Sequence, residues 1–101
     1  MANTQSQGQS DASYRMQQPP HYHVIMHNDD ETTMDFVVML LMRIFRKSES
    51  EAETIMLKIH NEGSAIVGTY YKDIALSKAH VATQLARANN FPLKITTTEA
   101  Q

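Results

Sequence analysis

The chain has 101 residues, a formal net charge of -2 at pH 7 and no cysteine. That length suits one domain with a modest core, and the charge provides no basic field for nucleic acid or for membrane phosphates. Without cysteine there is no disulfide framework, no thiolate zinc site and no cysteine nucleophile.

Residues 1–20 are rich in Gln and Ser, poor in aliphatics and closed by Pro19-Pro20, the composition of a disordered tail. The tail lacks the charged start and apolar centre of a signal peptide. The apolar run over residues 34–45 is too short for a membrane span and is interrupted by Asp35 and Arg43. A soluble, cytoplasmic domain over residues 21–101 is therefore expected.

Order is expected to begin at Tyr22, where "YHVIM" reads as a strand of about five residues. A polar lip follows, Asn28-Asp29-Asp30. Thr32 and Asp35 then match the S/T-x-x-acid capping pattern, with Thr32 as the expected cap of the first helix. That helix carries Met34, Val37, Val38, Leu41, Ile44 and Phe45, apolar on nearly every side, so it should be covered on more than one face. Ser48 and Glu51 start a second helix in the same way, with a stripe of Ala52, Ile55, Met56 and Ile59, and a stop near Asn61 before Gly63. Residues 64–71, "SAIVGTYY", form a second strand in which Gly68 implies a bulge or a close backbone approach. Asp73 is the expected cap of a third helix over about residues 74–89, with Ile74, Val81, Leu85 and Ala88 inward and Asn89-Asn90 at its end. Residues 92–98 alternate Leu93, Ile95 and Thr97 against Lys94, Thr96 and Thr98, a third strand with one solvated face. The order β-α-α-β-α-β predicts an α+β fold: a small three-stranded antiparallel sheet covered by three helices.

Two features have competing readings. The Asn28-Asp29-Asp30 lip suits a simple turn, since Asn and Asp bond their own backbone. It equally suits a receptor for a cation with an apolar attachment, such as a peptide's own N-terminus. His60 lies at the edge of the buried stripe of the second helix. It reads either as a helix-end histidine bonding a carbonyl, or as a partly buried imidazole able to accept a hydrogen bond. His21, His23 and His27 share one side of the first strand, but no further strong ligand accompanies them and no metal or other cofactor is expected. Catalysis finds little support: the neighbouring Asp29 and Asp30 sit on a turn, and there is no Gly-rich phosphate loop.

Four segments together resemble the ClpS family of Clp protease adaptors. They are "NDD-x-T-x-M-x-FV" (28–37), "A-x-x-IML-x-[IV]H-x-x-G" (52–63), "A-[IV]-x-G" (65–68) and "PL" (92–93), in order across residues 22–98. The resemblance implies a non-enzymatic, monomeric adaptor. Such adaptors bind N-degron substrates with a bulky first residue (Leu, Phe, Tyr or Trp) and deliver them to the ClpA unfoldase, which feeds ClpP. It assigns the α-amino group to Asn28, Asp29 and His60. The side-chain pocket falls on Met34, Val37, Met56, Ile59 and Leu93, with Met34 as gatekeeper against β-branched first residues and with Asp30 and Thr32 supporting the loop. Docking on the ClpA N-domain falls on Asp73 and Lys78, and the N-terminal tail takes part in delivery.

Several positions depart from the family pattern. Glu31 and Thr33 stand where Tyr and Pro are usual in "NDDYTPM", Leu76 replaces an acidic residue, and Val67 replaces a common Cys. "ITTTEA" replaces the usual "C-T-x-E-K" ending. These suggest a divergent second copy within the family. Two other functions stay open at this level: a modulator that docks on ClpA without binding degrons, and a small metal-dependent hydrolase.

Overall fold

The structure is a computed structural model that describes residues 19–101. The tail expected over residues 1–20 thus lies, apart from Pro19 and Pro20, outside the described residues. Strand β1 (His21–His27) is the centre of a three-stranded sheet, flanked by β2 (Ser64–Tyr71) and β3 (Lys94–Glu99). Both pairings are antiparallel. The strand is longer than the expected five residues because cross-strand pairs continue to both ends, from His21 opposite Tyr71 to His27 opposite Ser64.

Alternation along β1 sorts its side chains. Val24 and Met26 are fully buried beneath the helices, while His21, His23, Ile25 and His27 take the other face. There each histidine has its own neighbour. His23 Nδ1 lies 2.8 Å from Thr69 Oγ1, and His27 Nε2 lies 2.8 Å from Thr96 Oγ1. The His21 ring stacks on Tyr71 at 4.5 Å. The expected irregularity in β2 is present: Val24 faces Gly68 but Ile25 faces Ile66, so Val67 is the extra residue of a bulge. A Cβ on Gly68 would run into the Tyr70 ring, which is why glycine occupies that point.

Helices α1 (Met34–Arg43), α2 (Glu49–Glu62) and α3 (Lys72–Ala88) complete the predicted α+β order. Helix α1 buries Phe36, Val37, Leu40 and Leu41, two adjacent rows, as expected of a centrally placed helix. Its cap, however, is Thr33 and not Thr32: the Thr33 hydroxyl accepts from the Phe36 amide at 3.2 Å. Both threonines suit a cap, and Thr32 is already committed elsewhere. Helix α2 starts with the full Ser48–Glu51 capping box and ends at Gly63, whose φ of 95° is the left-handed conformation glycine tolerates.

Helix α3 differs from expectation in two respects. It begins at Lys72, with Tyr71 at the cap position and no side-chain cap, so Asp73 lies within the first turn. Its inward face is Ala75, Ala79, Ala82 and Ala86, while Ile74 and Val81 are exposed and Leu85 is half-buried. Ala88 is exposed as well. The helix lies against all three strands, where Tyr22, Tyr70, Met26 and Leu93 already fill the volume. Only methyl-sized side chains fit between them at close approach.

Candidate functional site

The antiparallel pairing of β1 and β2 ends with His27 opposite Ser64. The next residues outward, Asn28 and Gly63, therefore meet, and the Asn28 amide donates to the Gly63 carbonyl at 2.8 Å. That bond joins the loop after β1 to the end of α2, one turn from His60. Sequence positions some thirty residues apart become one wall.

Asp29 organises the rest of the loop. Its Oδ1 accepts from the backbone amides of Glu31 (2.8 Å) and Thr32 (2.7 Å), and its Oδ2 accepts from the Thr32 hydroxyl (2.7 Å). This is the self-bonding turn expected of an Asp, but it does not exhaust the carboxylate, which offers about four acceptor positions. Burial by itself pushes the Asp29 carboxyl up. The Thr32 hydroxyl, the Thr32 and Glu31 amides and the nearby Arg87 guanidinium outweigh it and hold the group below the usual carboxylate range. Asp29 is thus a fixed negative charge with acceptor capacity left over.

Behind this loop lies an open cavity of about 360 Å³. Its polar rim is formed by the loop from Asn28 to Thr33 and by His60, and its apolar part by Met34, Val37, Met56 and Ile59. Val37 and Ile59, at 6% and 3% exposure, form a floor shared with the core. Met34, at 43%, stands at the edge. Asn28 and His60 are both exposed, so the imidazole is less buried than the sequence suggested. Chemically, the cavity offers hydrogen-bond acceptors and negative charge next to an apolar recess.

Nine of the twelve expected site residues thus gather here, and three do not. Leu93 is 1% exposed within the core and does not line the cavity. Asp73 is exposed on the first turn of α3, away from it. Lys78 is half-buried: its Nζ donates to the Ile44 carbonyl at the end of α1 (2.7 Å) and lies 5.3 Å from the centre of the Tyr70 ring. Glu31 and Thr33, noted in the sequence only as departures, line the cavity too. A second cleft of about 340 Å³, bounded by Glu31, Arg87, Asn90, Phe91 and Pro92, has no counterpart in the sequence reading. Its one signal there was the Asn89-Asn90 helix stop. Asn90 takes a left-handed φ of 63°, and Arg87 Nη1 donates to the carbonyls of Phe91 (2.9 Å) and Leu93 (2.8 Å).

Among the described residues, no group of three or more His, Cys, Asp or Glu side chains is arranged to hold a metal ion. No described helix is long and apolar enough to cross a membrane.

Fold and cavity together define a small α+β binding domain whose open recess is acidic at the mouth and apolar at the floor. The sequence model of the ATP-dependent Clp protease adaptor protein ClpS matches residues 17–96. An ATP-dependent Clp protease adapter protein ClpS from Desulfotalea psychrophila is 44% identical over 95 residues, covering 90% of this chain and 93% of its own. One from Treponema denticola is 52% identical over 77 residues, covering 76% of each. Among solved structures, Agrobacterium tumefaciens ClpS2 bound to L-phenylalaninamide superposes with a TM-score of 0.80 at 40% identity, covering 82% of this chain and 100% of its own. The chain belongs to the ClpS family, adaptors of the ATP-dependent Clp protease. Its class of function is therefore that of an adaptor and not of the protease itself.

Proposed function

We propose that the cavity binds the first residue of substrate proteins, gripping the free α-amino group at Asn28, Asp29 and His60 and enclosing a bulky hydrophobic side chain between Met34, Val37, Met56 and Ile59. Asp30 and Thr32 hold the loop, and the captured substrate is delivered to the ClpA unfoldase for ClpP. The carrying observation is that one recess joins the acceptor set to the apolar set. The ligand of the Agrobacterium relative supports the reading, since L-phenylalaninamide is a free α-amine beside a benzyl side chain.

Magnitudes favour a dual requirement. Enclosing a Leu or Phe side chain is worth roughly 1.5–3 kcal/mol, and a charge-assisted hydrogen bond to the ammonium roughly 1.5–3 kcal/mol. Either alone is offset by the entropy of association. Internal hydrophobic residues lack the ammonium, and Gly or Ser termini lack the side chain, so neither competes. On the docking side, exposed Asp73 is available to a partner's N-domain. Lys78, bound to the Ile44 carbonyl, contributes chiefly by shaping that surface.

The test is fluorescence titration with a Phe-initiated peptide and its N-acetylated twin. The free-amine peptide is expected to bind and the acetylated one to fail. Equal affinities would remove ammonium recognition, and binding of neither would favour the docking modulator.

A further inference from the structure

The chain has seven methionines and no cysteine, so its sulfur chemistry with two-electron oxidants falls on thioethers alone. Among the described residues their placements differ. Met26 is fully buried in the core, Met39 and Met56 are half-buried and pack against it, and Met34 and Met42 are exposed. Of the two exposed ones, Met34 lines the first-residue cavity and Met42 does not. We propose that Met34 is an oxidation-sensitive modification site: a peroxide converts its thioether to the sulfoxide, which weakens capture of hydrophobic first residues until the sulfoxide is reduced. This inference rests on the first-residue reading given above.

In the oxidation step a lone pair on the Met34 sulfur attacks one oxygen of hydrogen peroxide. The S–O bond forms as the O–O bond breaks, sulfur gives up two electrons, and the departing hydroxide becomes water by taking the proton of the transferred oxygen. The product is a polar, chiral side chain where a flexible apolar one stood. Access favours the reaction at this position. Met34 is the first residue of α1, directly after the Thr33 cap, and takes no part in the buried core. Its consequence follows from what surrounds it. The rest of the apolar lining is Val37, Met56 and Ile59, none of which carries a side-chain donor for the new oxygen. Against a bound Leu or Phe side chain, the sulfoxide oxygen either stays in the wall and loses water without a partner, or turns out to solvent and takes the wall with it. Both lower affinity. Neither disturbs the packing of Met26 or of the helices, so the fold is retained.

The experiment treats the full chain with dilute hydrogen peroxide, locates the oxidised methionines by peptide mass spectrometry and titrates a Phe-initiated fluorescent peptide before and after. Met34 and Met42 should convert before Met26, the melting temperature should hold, and affinity should fall about tenfold, the size of effect that one unpaired polar group in an apolar contact brings. Methionine sulfoxide reductases for both epimers, with a dithiol as electron donor, should restore it. Met42→Leu should lose affinity on treatment as the parent does. Met34→Leu, whatever its own starting affinity, should bind equally before and after treatment. The modification site is overturned if Met34 converts with affinity unchanged, if Met26 converts and Met34 does not, or if affinity falls only in step with the melting temperature. It is overturned as well if Met34→Leu loses as much on treatment as the parent. First-residue recognition stands in each of those cases. If the untreated chain does not prefer the free-amine peptide to its acetylated twin, the first-residue reading falls and the modification site with it.

Discussion

Two adjacent threonines divide the work at the start of α1, and substitution separates them. Thr33 caps the helix through the Phe36 amide, while Thr32 donates its hydroxyl to Asp29. Thr33→Ala should cost about 1 kcal/mol in a urea melt, the usual worth of such a cap. Thr32→Val should instead weaken peptide binding, because it frees one carboxylate oxygen of Asp29. If Thr32→Val destabilises the fold as a lost cap does while Thr33→Ala does nothing, the assignment is reversed. A capping pattern in sequence cannot rank two neighbouring threonines, since either reaches the first turn; only the Asp29 carboxylate decides. Asp29 also predicts a pH dependence. Its folded value lies below the unfolded one, so its stabilising contribution is complete above the unfolded value of about 3.9 and is lost as pH falls through the folded value. Melting temperature should therefore drop more steeply as pH falls below about 4 in the parent than in Asp29→Asn. The asparagine keeps an acceptor for the Glu31 and Thr32 amides, so the variant should fold while losing ammonium affinity.

Helix α3 carries two apolar rows, and volume determines which one faces the sheet. Ile74, Val81, Leu85 and Ala88 were the row expected to face inward, since Ile, Val and Leu gain more from burial than Ala does; of these only Leu85 is even half-buried. The row that packs is Ala75, Ala79, Ala82 and Ala86, because the opposing layer contributes the bulk. Local periodicity shows that a stripe exists but carries no information about the space across from it. Ala82→Leu should accordingly cost roughly 1–3 kcal/mol through overpacking, and Val81→Ser should stay within about 0.5 kcal/mol. Chemical denaturation of the two variants checks this, and equal losses would mean that the rows are not distinguished by packing. Helix α2 shows the opposite case. Ser48, Glu51 and Gly63 act through neighbours in the chain, so its ends were legible before any fold was known. The bulge at Gly68 was legible for the same reason.

The cavity belongs to the molecule as a whole, because no single element contains it. Its loop follows β1, its floor comes from α1 and α2, and the bond from Asn28 to Gly63 exists only once β1 and β2 are in register. Spacing in sequence could nominate the loop and His60 separately; the resemblance to an adaptor family, and then the strand pairing, brought them to one site. Leu93 shows the limit of that route, since its position matched the motif yet its side chain lies in the core. A site assembled from separated segments is absent from the unfolded chain, so any ligand it binds should stabilise the whole fold by linkage. Free peptide at about one hundred times its dissociation constant adds about 2.7 kcal/mol. For a domain of this size each kcal/mol moves the melting temperature by about 4–8 °C, which predicts a rise on the order of 10 °C with a Phe-initiated peptide. The acetylated twin at the same concentration should leave the melt unchanged, and Asp29→Asn should lose most of the rise. A melting temperature that responds to neither peptide, at concentrations where fluorescence reports binding, would mean that the peptide attaches to a part of the surface that also persists in the unfolded chain. The response to the free amine alone therefore tests whether ligand and fold share this cavity.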